Sequence, residues 1–124
     1  MFIAAAVFVA LAVLLHVYIW YLESFAWTTK ARAVFGTGEQ EALATQEMAF
    51  NQGFYNLFLA LIALAGLLVA GGSRGTGIAL MLAGTGSMLA AAALLFATSP
   101  DKRSAAIKQG VCPLLAVGLL VLVQ

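Results

Sequence analysis

The sequence predicts an all-α integral membrane four-helix bundle, and three observations carry that expectation. Of its 124 residues 64% are hydrophobic and 9% charged, with a mean hydropathy of +1.04, whereas a soluble domain keeps roughly a quarter of its residues charged to solvate its surface. Four apolar stretches, at about residues 2–27, 49–70, 77–97 and 105–123, are separated by polar or turn-forming segments. Each approaches or exceeds the ~20 residues that carry a helix across ~30 Å of hydrocarbon. Their continuous apolarity, rich in Leu and Ala and lacking alternation, excludes strands. The spans consume nearly every residue, so residues 1–124 are expected to form a single membrane domain, too small for a multidomain enzyme or transporter in one chain.

The first stretch opens Met1-Phe2-Ile3 without a basic region and runs past the length of a signal sequence, so it reads as a retained span. Trp20, Tyr21 and Trp27 near its end match a headgroup-level aromatic belt. Residues 28–48 form the one long connection. Its second half, from Glu39 to Glu47, consists mostly of good helix formers, which predicts a second helix starting near Gly38 and entering the membrane around Ala49. Gly71-Gly72-Ser73-Arg74-Gly75 reads as a tight turn, and Thr98-Ser99-Pro100-Asp101 stops the third helix. Ala79, Ala83, Ser87 and Ala91 recur every four residues, a spacing expected to pack that helix against a neighbour. Pro113 in the fourth helix can kink it and free the carbonyl of Gln109.

Net charge is +1, with no basic field for nucleic acid and no polybasic tail for anionic lipid. Lys30, Arg32, Lys102, Arg103 and Lys108 lie in or beside the first and third connections, against Arg74 alone in the second. The positive-inside bias then places those connections in the cytoplasm and both termini outside a bacterial cytoplasmic membrane. Cys112, the sole cysteine, excludes an intrachain disulfide and a cysteine-cluster metal site. It reads as a small apolar residue with no base beside it, and no metal site is expected.

Ionisable groups inside a span are costly and default to functional hypotheses. His16, Trp20, Glu23 and Trp27 follow an i, i+4, i+7, i+11 stripe on the first helix, with His16 and Glu23 about 10 Å apart along its axis. Glu23 is alternatively a solvated helix end paired with Lys108, and His16 a neutral imidazole satisfied by a neighbouring helix. On the second helix Asn51 with Tyr55 and Gln52 with Asn56 form i, i+4 pairs, and amides at that depth must line a wet cavity or tie helices together. Gln109 lies at the same level on the fourth helix. His16, Glu23, Asn51, Tyr55 and Gln109 are therefore expected to face one cavity in the cytoplasmic half of the bundle, with Val13, Val17 and Leu57 peripheral.

The blocks His16-Val17-Tyr18-Ile19-Trp20-Tyr21-Leu22-Glu23 with Trp27, Asn51-Gln52-Gly53-Phe54-Tyr55-Asn56-Leu57-Phe58-Leu59-Ala60, and Gln109-Gly110-Val111-Cys112-Pro113 resemble the signatures of the domain of unknown function 1304 family. The resemblance covers almost the whole chain and implies a small bacterial four-helix membrane protein, with no activity attached. The third helix departs from it, with Gly84-Thr85-Gly86-Ser87-Met88 where a Gly-x-Tyr-Gly-like element is expected. The architecture is also similar to the membrane-associated proteins of eicosanoid and glutathione metabolism, whose Asn and Tyr would match Asn51 and Tyr55. Phe54 stands where their Glu belongs, and the third helix lacks their Arg and Tyr.

Two classes of function follow. In one, His16 and Glu23 form a protonatable pair, and the bundle binds or transports a small molecule or proton against Trp20, Trp27 and Tyr55, with binding that changes between about pH 5 and 8. Enclosing a path would make the chain a homo-oligomer. In the other, an intramembrane enzyme acts on a lipidic or amphipathic substrate, with His16 or Glu23 as base and Asn51 and Gln52 as carbonyl donors. A structural subunit of a membrane complex is the third reading. The expected partners are the bilayer and a small-molecule or lipid ligand; no cofactor motif is present.

Overall fold

The computed structural model describes all 124 residues and contains helices and turns only. Helix α1 runs Phe2–Phe25, α2 Lys30–Phe35, α3 Glu39–Val69, α4 Arg74–Thr98 and α5 Arg103–Leu122, with a 3-10 turn at Pro100–Lys102 leading into α5. Helices α1, α3, α4 and α5 are long and apolar enough to cross a membrane. Each packs on its neighbour in the chain, and α5 closes the ring against α1. Outward-facing Ile3, Leu68, Leu94 and Leu122 are all more than 60% exposed, an apolar jacket that water would not tolerate around the whole girth of a monomer. The chain is an all-α integral membrane bundle.

Two apolar clusters hold the bundle. The larger joins Val9, Ala12 and Val13 of α1 to Ala60 and Ala63 of α3, Met81 and Met88 of α4, and Ala116 and Leu120 of α5. Val13 is therefore core, against the expectation that it is peripheral. The smaller lies at the other end, where Ile19, Leu22 and Ala26 meet Ala31 and Phe35 of α2 and Ala105 of α5. Helix α2 thus caps one end of the bundle. Gly36, in the left-handed region at φ 68°, ends it and lets the Thr37 amide reach the Arg32 carbonyl.

Helix α3 begins at Glu39, as its composition predicts, with Glu39 and Glu41 in the first turn complementing the helix dipole. At ~1.5 Å per residue its 31 residues reach ~46 Å, more than the ~30 Å hydrocarbon core. The surplus must project beyond the hydrocarbon or be taken up by tilt. Helices α3 and α4 approach closely at Gly66, where an added Cβ would meet the Gly77 carbonyl and the Met81 amide at 2.7 Å.

The small-residue stripe of α4 does not serve this contact. Ala79, Ala83, Ser87 and Ala91 are exposed, and the buried side is Gly77, Ile78, Met81, Gly84, Thr85, Met88 and Ala92. The repeat of 77, 81, 84 and 88 follows the seam of helices crossing at a shallow angle. A strict four-residue repeat drifts off that seam by about 40° per step. Ser87 satisfies its hydroxyl on the Ala83 carbonyl of its own helix at 2.7 Å, so it needs no partner helix.

Candidate functional site

The end capped by α2 holds the bundle's polar cleft, about 250 Å³ in volume. Glu23 of α1, Trp27 in the turn that follows it, Gln52 and Asn56 of α3, Lys102 of the 3-10 turn and Gln109 of α5 line it. Phe35, Thr45, Met48, Ala49, Ala91 and Leu95 complete the wall.

Glu23 is 7% exposed, although it sits in a spanning helix. Its Oε1 accepts a 2.7 Å hydrogen bond from Asn56 Nδ2, and no basic side chain lies within ion-pair distance. The expected pairing of Glu23 with Lys108 does not form: Lys108 is exposed and borders a different cavity. Trp27 donates its indole N–H to Thr45 Oγ1 at 3.0 Å, and that hydroxyl donates to the Glu41 carbonyl at 2.7 Å, tying the end of α1 to the start of α3. Its ring lies 5.5 Å from that of Phe35. Lys102 Nζ is buried with no hydrogen-bond partner, and its nearest carboxylates, Glu41 and Asp101, both stand at 3.6 Å.

The structure separates several residues that the sequence places together. His16 is 2% exposed, but its Nδ1 lies 2.9 Å from the Ala12 carbonyl on its own helix, and it neither contacts Glu23 nor lines the cleft. A carbonyl only accepts, so Nδ1 carries the proton. Trp20 is turned about 60° from Glu23 at ~100° per residue. Its ring packs edge-on to Phe25 and Phe54 on the outer side, with its indole N–H buried and unpaired. Asn51 and Tyr55 are also exposed outside the cleft, against the expectation that they face its interior. About 140° and 100° of helical rotation separate them from Asn56.

Sequence reading missed Lys102, Thr45 and Phe35. Lys102 counts only as a topology charge when the chain is read linearly. Thr45, Ala49, Gln52 and Asn56 carry the same i, i+4, i+7, i+11 signal that marks α1, and that stripe could have found Thr45.

The sequence pattern of the DUF1304 proteins, described as proteins of unknown function, matches residues 10–121. The chain belongs to this family. No curated protein and no solved structure matches the chain. The matched segment of this DUF1304 member contains every residue that lines the cleft, so the cleft lies wholly within the family's domain.

Proposed function

We propose that this DUF1304 protein binds a small polar or amphipathic ligand in the cleft lined by Glu23, Gln52, Asn56, Lys102 and Gln109. One observation supports this above the rest: in an otherwise apolar bundle, the buried carboxyl of Glu23 and the buried Nζ of Lys102 line the same opening. Buried charge is costly without a partner; Glu23 has no cation beside it and Lys102 has only exposed carboxylates at 3.6 Å, and a ligand reaching both groups supplies closer partners. Binding is favoured over catalysis because the groups expected of an enzyme meet only in part, with Glu23 and Gln52 alone of that set in the cleft. His16 and Asn51 stand away from the cleft, and so does the thiol of Cys112. The cleft lies at the end carrying Lys30, Arg32, Lys102 and Arg103, which the positive-inside bias assigns to the cytoplasm.

The test is native mass spectrometry of protein extracted directly from membranes. Wild type should retain a ligand that is lost in Ala91→Trp, which fills the cleft from α4. Ala79→Trp, on the same helix outside the cleft, should retain it. Equal retention by all three proteins would refute a site in the cleft.

A further inference from the structure

We infer that the ligand is a zwitterionic amphiphile, with its ammonium on Glu23, its anionic group on Lys102, and its apolar chain passing Phe35 into a groove between α1 and α5. The inference rests on the binding role proposed for this cleft and assigns the chemical class of the occupant.

The charges of the cleft define its head. Glu23 Oε1 is taken by Asn56, while the carboxylate has no cation beside it, so its other oxygen can accept from a ligand ammonium. Trp27 in the same wall places an aromatic ring at the border of that site. Lys102 Nζ is buried without a hydrogen bond. The carboxylates nearest to it belong to side chains 55% and 74% exposed, which water already solvates. An anion alone would leave Glu23 unpaired, and a cation alone would leave Lys102 with no hydrogen bond and only its two exposed carboxylate partners. A molecule carrying both signs completes both.

A second cavity, about 230 Å³, provides the path for the tail. It is lined by Leu15, Ile19, Leu22, Val34 and Ala105 among others, and shares Phe35 and Gln109 with the polar cleft. Each space alone is below the ~300 Å³ at which small-molecule pockets begin, and together they exceed it. One side is polar and charged, the other mostly apolar with Lys108 at its border, and Phe35 and Gln109 line both. This arrangement matches an amphiphile with a single chain and a small head.

A Trp20→Phe background leaves Trp27 as the only indole, reporting from the cleft wall. Its fluorescence is titrated in maltoside detergent with lysophosphatidylethanolamine, its N-acetylated form, lysophosphatidic acid, and free phosphoethanolamine. The first should bind saturably. Loss of the ammonium in the second and third should weaken binding about 10- to 100-fold, the worth of a hydrogen bond to a charged group. Free phosphoethanolamine, which lacks the tail, should bind weaker still. Glu23→Gln, whose amide oxygen can still accept from Asn56, should remove the preference for the ammonium, and Lys102→Gln should weaken all three lysolipids. Melting temperatures monitor folding. If the Glu23 variant does not fold, Lys102→Gln carries the test from outside the spanning helices.

Equal affinity for the three lysolipids, or unchanged affinity in the Lys102 variant, overturns the zwitterion assignment. Free phosphoethanolamine binding as tightly as its lysolipid overturns the tail path. If all four probes fail while the native ligand is still lost on filling the cleft with Ala91→Trp, the cleft binds another class of molecule. If that loss also fails to occur, the binding role falls with the inference.

Discussion

Asn51 and Asn56 are the same residue type five positions apart, and their surroundings give them opposite weight. Asn56 donates to a buried carboxylate, whereas Asn51 is exposed and makes no side-chain hydrogen bond within the protein. Asn56→Leu leaves Glu23 Oε1 buried without a donor, a loss of about 1–3 kcal/mol. Asn51→Ala should fall within about 0.5 kcal/mol of wild type. Thermal or denaturant unfolding in detergent checks the pair, and equal losses would mean that Asn51 has a partner outside the chain. Trp27→Phe keeps the ring against Phe35 and removes the indole donor to Thr45. The same measurement should show a loss of about 0.5–1.5 kcal/mol.

Glycine separates packing from propensity within the helices. At Gly66 a methyl group would strike the backbone of α4, while at Gly86 nothing lies within 4 Å. Gly66→Ala must push α3 and α4 apart and should cost about 1–3 kcal/mol, as overpacking does. Gly86→Ala meets no obstruction and removes the entropic penalty of glycine in a helix, so it should be neutral or stabilising by up to about 1 kcal/mol. Melting temperatures of the two variants should move in opposite directions, or only the Gly66 variant should fall. A loss at Gly86 would reveal a neighbour on the outer face of α4. The same distinction explains the stripe of Ala79, Ala83, Ser87 and Ala91. Small side chains permit close approach without requiring it, and the approach occurs where Gly66, Gly77 and Gly84 bring backbones together.

For the whole molecule, the four spanning helices alternate in direction, which brings the first and third connections to one end. Helix α2 and the mouth of the cleft share that end with five of the six basic residues, Lys102 among them. Arg103 lies over the Phe96 ring at 4.8 Å and donates to the Phe96 carbonyl at 3.1 Å, holding its charge where a headgroup region would receive it. If this end faces the cytoplasm, alkaline phosphatase fused after Gln124 should be active and a fluorescent protein that folds only in the cytoplasm should stay dark. The reverse result inverts the orientation and moves the cleft to the outer leaflet.

The sequence alone determined the membrane setting, the four spans, the early start of α3 and the family. These follow from composition and from signals within about twenty consecutive residues, and a bilayer turns such a run into a helix whatever surrounds it. It also marked Glu23, Trp27, Gln52, Asn56 and Gln109 as polar residues needing a common explanation. Tertiary structure decided which of them meet. A helix turns about 100° per residue, so Asn51 and Tyr55 rotate away from the face that Asn56 presents to Glu23. His16 keeps its bond within α1, and Trp20 joins the outer aromatics. Lys102 reaches the cleft because the Pro100–Lys102 turn brings it there across 79 residues of chain from Glu23. Linear periodicity carries no phase relation between separate helices; packing fixes that phase, and with it the chemistry of the cleft.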